Sequence, residues 1–347
     1  MNTTDKPPTP ALPATALAPM QDVTTPEFMR IIAQKGAPDW FVTEFIRVHA
    51  TSTPAPELLA RLDNNGTGRP VYAQLIGENI PAMVRTASRL LRHRVAGIDL
   101  NLGCPAPKIC RKHVGGGLLR DLAHVDALLG SLREVVPPGK FTVKARIGFD
   151  DASPLPSLVA LVNKHAVDLL TLHARTVRER YHGPVHYDAL AWAARALRCP
   201  LIANGDITTP ECVARVAAAT GCAGVMIGRH AVRNPWIFRQ IREQSTPGAT
   251  VFRPLLGDVR DYITELCTLT APPGMSPVRV AAHMKKYLNF IGTQVDPQGA
   301  FLHAMRRAGD LAGLLRVCDA HLTRDGNADK PYAPEPYPGL RARPNCE

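Results

Sequence analysis

Short apolar runs alternate with longer stretches of helical periodicity along most of this chain. The runs are rich in β-branched and aliphatic residues, which favours strands. Eight runs of this kind occur: Ala16–Met20, Trp40–Phe45, Val71–Ile76, Gly97–Leu102, Phe141–Ile147, Leu169–Arg175, Leu201–Asp206 and Gly224–Arg229.

Helical patterns such as Ala82–Arg94, Leu155–His165 and Pro210–Thr220 separate several of these runs. Because parallel neighbours need a crossover about one helix long, the alternation predicts parallel strands. Eight repeats favour a closed (β/α)8 TIM barrel over an open sheet, and we expect it over residues 15–245.

The chain beyond the barrel changes to helical periodicity without strand-like runs. Four amphipathic stretches predict a small all-helical C-terminal domain over residues 250–325: Leu256–Leu269, Val278–Ile291, Gln298–Ala308 and Asp310–Leu322. The proline-rich ends predict a flexible lead over residues 1–14 and an irregular tail over residues 326–347.

Composition and charge narrow the class of protein. The 347 residues are 45% hydrophobic and 20% charged, which is typical of a globular enzyme with a large core. Lys and Arg total 41 against 30 Asp and Glu, so the formal charge is +11. This surplus favours a phosphate-rich partner, with a merely basic soluble protein as the alternative.

Cysteine usage and hydropathy predict the compartment. The eight cysteines form no CxxC pair, so we expect no metal site. No signal peptide is visible and no uninterrupted apolar segment is long enough to span a bilayer. We therefore expect a soluble, cytoplasmic protein with free thiols and no membrane contact.

The fourth apolar run leads into the most informative loop, Asn101-Leu-Gly-Cys-Pro105. It carries the thiol of Cys104 at the carboxyl end of a barrel strand, where the chemistry of this fold occurs. A basic, glycine-rich stretch follows, with Lys108, Arg111 and Lys112. This combination suggests acid catalysis by the thiol on a polyanion, with a buried structural cysteine as the alternative.

Polar residues also end the other strands. Lys144 and Arg146 share one face of the fifth run, and His173 and Arg175 share one face of the sixth. Such groups inside an empty barrel would be costly, so they predict an anionic ligand or, alternatively, pairing with local carboxylates. The third run offers the amide of Gln74.

The last two strands end in small residues and charge. Asn204-Gly205-Asp206 ends the seventh run, and Gly228-Arg229 ends the eighth. Loops after these two strands commonly bind phosphate in this fold, with backbone amides approaching closely at glycine. The pair predicts a phosphorylated cofactor, with Arg229 as its counter-charge.

With these residues in place, the chain resembles the tRNA-dihydrouridine synthases over roughly residues 15–320. The motifs that carry the resemblance are Ala18-Pro-Met20, Asn101-Leu-Gly-Cys-Pro105, Val143-Lys-Ala-Arg146, His173-Ala-Arg175, Asn204-Gly-Asp206, Gly228-Arg229 and Ala282-His-Met-Lys-Lys-Tyr287. The resemblance implies an FMN-dependent oxidoreductase that reduces D-loop uridine in tRNA to 5,6-dihydrouridine, with NADPH as the electron donor.

The resemblance also implies roles for individual residues. Hydride would pass from N5 of FMN to C6 of the uracil while Cys104 delivers a proton to C5. The implied cofactor-binding residues are Pro19, Met20, Gln74, Lys144, His173, Asn204, Gly205, Asp206, Gly228 and Arg229. Asn101, Arg175 and also His173 would hold the base, and Lys108, Arg111, Lys112, Lys285 and Lys286 would grip the tRNA backbone.

Two alternatives stay open from the residues alone, besides a non-redox barrel with a structural Cys104. One is an FMN-dependent barrel reductase of a small molecule, similar to dihydroorotate dehydrogenase. The other is a catalytically silent tRNA-binding protein. The stretch Tyr181-His-Gly-Pro-Val-His-Tyr187 departs from the family pattern at Pro184 and Tyr187, which concerns local substrate contacts rather than the flavin. The segment 43–48 resembles one branch of the family and the loop 108–113 another, so the modified uridine stays open. We expect a monomer.

Overall fold

The computed structural model describes residues 13–342. Within these residues nine strands form one sheet: β1 (Ala14–Leu17), β2 (Trp40–Val42), β3 (Ile46–Arg47), β4 (Val71–Ile76), β5 (Gly97–Leu102), β6 (Phe141–Arg146), β7 (Leu169–His173), β8 (Leu201–Asn204) and β9 (Gly224–Ile227). Every pairing between them is parallel.

The sheet closes on itself. The strand order runs from β2 through β1, β9, β8, β7, β6, β5 and β4 to β3, and β2 also pairs with β4. Eight strands therefore complete a ring, and the predicted (β/α)8 TIM barrel is confirmed. β1 covers Ala14–Leu17, so the prediction of a strand ending at Met20 was wrong at that end.

The predicted second strand, Trp40–Phe45, is interrupted. β2 pairs Phe41 with Val71, whereas β3 pairs Ile46 with Leu75, so the register shifts by one residue between them. This is the geometry of a β-bulge, which bends a strand and redirects its side chains. The hydroxyl of Thr43 accepts the backbone N–H of Gln74 at 3.0 Å, which stabilises the interruption.

In the part of the chain that the structure describes, fourteen α-helices accompany the strands: α1 (Pro26–Gly36), α2 (Pro56–Asp63), α3 (Ile80–Leu90), α4 (Pro107–Cys110), α5 (Leu122–Val135), α6 (Leu155–Lys164), α7 (Tyr187–Ala196), α8 (Pro210–Thr220), α9 (Arg229–Arg233), α10 (Ile237–Gln244), α11 (Leu256–Thr270), α12 (Pro277–Ile291), α13 (Ala300–Arg307) and α14 (Leu311–Leu322). Short 3₁₀ helices cover Gly115–Arg120, Gly292–Gln294 and Arg324–Asp329. Among the described residues no helix is long and apolar enough to cross a membrane.

Helix α8 illustrates how local sequence forms the outer layer. The side chain of Thr209 caps its first turn by accepting the N–H of Cys212, and Pro210 follows at the first helical position. Gly221 ends it in the left-handed region at φ 66°. Val213 and Val216, about one turn apart, are buried against the barrel.

Helices α11 to α14 form the predicted all-helical region after the barrel. Tyr287 on α12 stacks on Phe28 of α1 with the ring centroids 5.6 Å apart. Lys35 of α1 donates to Glu265 of α11 at 2.6 Å. The helical region is therefore attached to the barrel by an apolar contact and an ion pair.

The described part of the proline-rich tail packs on both parts of the molecule. The buried hydroxyl of Tyr332 donates to the backbone carbonyls of Arg233 and Ile291, at 3.2 and 2.9 Å. Thr208, in the loop after β8, donates to Glu335 at 2.5 Å. Residues 1–12 of the predicted lead and 343–347 of the tail lie outside the described residues.

Candidate active site

A cavity of about 630 Å³ lies at the carboxyl ends of the barrel strands. Helix α12 contributes to its wall through Lys286 and Phe290, so the helical region closes one side. Twelve of the residues to which the sequence resemblance assigns a role line it: Pro19, Met20, Asn101, Cys104, Lys144, His173, Asn204, Gly205, Asp206, Gly228, Arg229 and Lys286.

Two inward-pointing candidates lie behind this wall. Gln74 is fully buried, and its amide bonds to Asp99 and Asn101. Strand β7 ends at His173, and Arg175 beyond it bonds to Asp206 and to the carbonyl of Gly183. The prediction that His173 and Arg175 share one face of a strand was therefore wrong.

The residues predicted to bind the tRNA backbone lie in two parts of the molecule, one around α4 and the other on α12. Lys108, Arg111 and Lys112 are exposed on α4 and the turn after it, beside the mouth of the cavity. Lys286 donates to the backbone carbonyl of Asp22 at 2.7 Å and reaches the wall. Lys285 instead donates to the carbonyls of Arg306 and Ala308 at the end of α13.

The loop that carries Cys104 is held by hydrogen bonds on several sides. The side-chain oxygen of Asn101 accepts the N–H groups of Gly103 and Cys104, each at 3.0 Å. Arg146 donates to the Gly103 carbonyl at 2.9 Å, and the Gly116 N–H donates to the Cys104 carbonyl at 3.1 Å. A Cβ at Gly116 would stand 2.8 Å from that carbonyl oxygen, so this approach requires glycine.

The environment of Cys104 favours the protonated thiol. Burial raises the pKa of this thiol above its ordinary value, although the Ala106 N–H and the cations Arg146, Lys144 and Arg47 act in the opposite direction. A protonated thiol on a cavity wall can deliver a proton to a bound molecule.

Lys144 is the cation at the floor of the cavity. Its ammonium donates to the side-chain oxygen of Asn204 at 3.2 Å, and the Asn204 amide in turn donates to the Met226 carbonyl at 2.7 Å. Burial, with help from Arg146, lowers the pKa of Lys144 to about 8. Asp99 supplies the opposing negative charge from beneath.

Two imidazoles in the wall are buried and neutral. Burial and the surrounding cations hold the pKa of His173 well below its ordinary value, and its Nδ1 has no hydrogen-bond partner among residues 13–342. Burial and Arg233 lower the pKa of His230 to about 3, and neither of its ring nitrogens has a partner within the described part of the chain. Buried polar atoms without partners are rare, so they indicate a ligand or ordered water in this region.

The end of the cavity formed after β8 and β9 combines glycine with charge. Gly205 has φ +126°, a conformation that side chains rarely adopt. A Cβ at Gly228 would meet Ala18 at 3.3 Å and the sulfur of Met20 at 3.5 Å, so the backbone here packs closely against the loop after β1. Arg229 donates to Asp206 at 3.1 Å and lies over the Tyr181 ring, 4.9 Å from its centroid.

Sequence reasoning missed Tyr181, His230 and Phe290 as wall residues. His230 directly follows Gly228-Arg229, so its position was a usable signal. Tyr181 belongs to the loop after β7, and it packs against Arg146 and Arg229 at the cavity.

The wall carries an excess of positive charge. Lys144, Arg146, Arg180, Arg229, Arg233 and Lys286 line it, against the carboxylates of Asp22 and Asp206. This excess, the two glycines in the wall (Gly205 and Gly228), and the unpartnered Nδ1 of His173 fit a phosphorylated, ring-containing ligand such as FMN. Within residues 13–342 no group of three or more His, Cys, Asp or Glu side chains could hold a metal ion.

Comparison with known proteins agrees with this arrangement. A tRNA-dihydrouridine(16) synthase of Ralstonia nicotianae is 33% identical over 333 residues, which cover 91% of this chain and 98% of the relative. A tRNA-dihydrouridine synthase B of Pseudomonas putida is 34% identical over 276 residues, covering 78% of this chain and 81% of the relative. The family model described as dihydrouridine synthase matches residues 16–289. The chain belongs to the dihydrouridine synthase family.

Proposed function

We propose that this protein reduces uridine in tRNA to 5,6-dihydrouridine, with FMN in the cavity and NADPH as the reductant. Family membership and the names of the two relatives support the reaction and the substrate. The observation that carries the proposal is Cys104 on the wall of a cavity with six cationic side chains and two carboxylates.

FMN is the cofactor that the wall fits. Its phosphate would lie on the backbone at Gly205 and Gly228 with Arg229 as counter-charge, and its ring would lie near Pro19, Met20 and Lys144. When bound, the flavin supplies the hydride that saturates the C5–C6 bond of the uracil. Lys144 offers a positive charge to the pyrimidine edge of such a ring, and a neutral His173 can donate or accept one hydrogen bond.

Cys104 holds the proton that goes to C5. The raised pKa of its thiol keeps that proton in place near neutral pH. Asn101, Arg146 and Gly116 hold the loop from three sides, so the sulfur keeps its position while a base enters. The uridine must leave its stack to reach this depth, which costs a few kcal/mol that contacts in the cavity offset.

The tRNA backbone would cross the mouth between two basic surfaces. Lys108, Arg111 and Lys112 lie on one side, and Lys286 on α12 lies on the other. Lys285 would contribute chiefly by supporting α13, because its ammonium bonds to the end of that helix. Salt-sensitive binding is expected from such contacts.

We propose position 16 of the D-loop as the target. The Ralstonia relative named for that position aligns over 98% of its own length, including the helical region that borders the mouth. The Pseudomonas synthase B aligns over 81% of its length.

The test is an absorbance spectrum of the purified protein followed by anaerobic addition of NADPH, with and without unmodified tRNA. A flavin spectrum that bleaches with NADPH and recovers on addition of tRNA is expected, with dihydrouridine mapped to position 16 by mass spectrometry. Recovery with dihydroorotate-type small molecules instead of tRNA would favour the small-molecule reductase. Bound tRNA without any flavin after reconstitution would favour the silent binding protein.

A further inference from the structure

A chain of side-chain hydrogen bonds runs beneath the Cys104 loop. It begins where the Asn101 oxygen accepts the backbone N–H groups of Gly103 and Cys104, each at 3.0 Å. Backbone N–H groups can only donate. Asn101 therefore turns its oxygen towards the loop and its NH₂ group away from it.

The direction of this first bond determines every later one. The Asn101 NH₂ group donates to the side-chain oxygen of Gln74 at 2.7 Å. The Gln74 NH₂ group must then face the other way, and it donates to Oδ2 of Asp99 at 2.7 Å. This series of hydrogen bonds must end at a group that accepts, and the Asp99 carboxylate is that group.

The barrel brings these residues into one row. Gln74 on β4 and Thr142 on β6 are the register neighbours of Asp99 on β5. Thr142 donates to Oδ1 of Asp99 at 2.6 Å, so both carboxylate oxygens are occupied. Asn101 lies two residues after Asp99 and faces the same side of the strand.

We propose that Asp99 is a positioning residue for Cys104. Its carboxylate orients the Gln74 amide, which orients the Asn101 amide, which holds the loop that carries the thiol. Asp99 is buried and is not part of the cavity wall, so it acts through these two amides. The effect of Asp99 on catalysis rests on the proposed role of Cys104. The series of hydrogen bonds is independent of that role.

A reciprocal exchange of amide and carboxylate tests the direction of the chain. Gln74→Glu alone sets two carboxylates against each other at hydrogen-bond distance and removes the donor to Asp99. Adding Asp99→Asn restores a donor, because the new amide can donate to Glu at position 74 while still accepting from Thr142. Adding Asp168→Asn instead is the matched control, since Asp168 bonds to Phe141, at the amino end of β6 and away from the Cys104 loop, and to Arg133 on α5.

The readouts are hydrogen exchange at the Gly103 and Cys104 amides and the alkylation rate of Cys104, measured by peptide mass spectrometry. We expect Gln74→Glu to raise both the exchange rate and the alkylation rate by about tenfold over the wild type. Adding Asp99→Asn should reverse this increase, whereas adding Asp168→Asn should leave it unchanged. The proposal would be overturned if Gln74→Glu exchanged these two amides at the wild-type rate, or if adding Asp99→Asn did not reverse the increase.

Asp99→Leu alone keeps the inference testable if Gln74→Glu does not fold. This change of similar size removes the acceptor of the Gln74 amide, so we expect a severalfold local rise in exchange at the same two amides. Unchanged exchange there would overturn the proposal. These readouts need neither tRNA turnover nor NADPH, so a protein that behaves as expected yet makes no dihydrouridine would refute only the proposed function.

Discussion

Arg175 and Asp206 form a two-pronged ion pair at the edge of the cavity. Nη1 of Arg175 donates to Oδ1 of Asp206 at 3.1 Å, and Nη2 donates to Oδ2 at 2.5 Å. Although burial acts against it, Arg175 lowers the pKa of Asp206, so the carboxylate stays charged. Oδ1 also accepts Arg229 at 3.1 Å. One carboxylate therefore orients two arginines. Of these two, Arg229 lines the cavity and Arg175 does not.

Arg229→Ala is expected to weaken FMN retention by about ten- to a hundredfold, because a charge-assisted bond to phosphate contributes roughly 1.5–3 kcal/mol. The measurement is the dissociation constant of FMN from fluorescence quenching. Arg178→Ala is the control, since Arg178 pairs with Asp150 at the surface. Equal affinities for FMN and riboflavin in the wild type would contradict a phosphate site here.

Cys104→Ala is expected to keep FMN and tRNA binding while dihydrouridine formation falls by about 10²–10⁴-fold, the usual contribution of a general acid. Product is counted by mass spectrometry of the treated tRNA. Cys318→Ala removes another buried thiol, in the helical region, and is expected to retain activity. Turnover by Cys104→Ala at the wild-type rate would exclude the thiol as the acid.

The pH profile of kcat/KM is expected to fall as pH rises through about 8, because the Lys144 ammonium loses its proton there. The thiol of Cys104, whose pKa burial raises, loses its proton at higher pH and gives a separate limb. Lys144→Arg keeps its charge at high pH and should move the first limb upward. A limb near pH 8 that persists in Lys144→Arg would assign it to another group.

His230 is expected to make the protein sensitive to acid. The unfolded imidazole binds a proton below about pH 6.5, whereas the folded one stays neutral until about pH 3. Acid therefore favours the unfolded chain, and stability falls as pH drops from 6.5 towards 3, by roughly 5 kcal/mol in full.

Urea unfolding of His230→Leu between pH 4 and pH 7 checks this expectation. The variant should show a shallower loss of unfolding free energy in acid than the wild type. His49→Leu, at an exposed position, serves as the comparison. Parallel acid profiles for the wild type and His230→Leu would remove His230 as a cause.

Lys286→Ala and Lys285→Ala are expected to differ although the residues are adjacent. Lys286 reaches the cavity wall, so its loss should weaken tRNA binding and lower the salt dependence by roughly one counterion. Lys285 bonds to the end of α13, so its loss should lower the free energy of unfolding by about 1 kcal/mol. Filter binding at several salt concentrations and urea unfolding separate the two effects, and the reverse pattern would contradict the assignment.

The second predicted strand contains an interruption that could not be predicted from the sequence. The run Trp40–Phe45 reads as one strand because its residues are apolar or β-branched. The break between β2 and β3 depends on pairing with β4, about thirty residues further along the chain, and no local signal marks it. The contacts of Tyr332 with Arg233 and Ile291 are equally long-range and were not predictable from a proline-rich tail.

By itself the sequence determined the barrel, the helical region after it and twelve of the residues that line the cavity. These follow from hydrophobic periodicity and from polar residues at strand ends, which are local features. The tertiary structure decided which partner each buried polar side chain bonds to. Gln74 bonds to Asp99, and Arg175 bonds to Asp206. A buried polar group must bond to whatever partner the neighbouring strands bring within reach, and that partner is set by register and closure of the sheet.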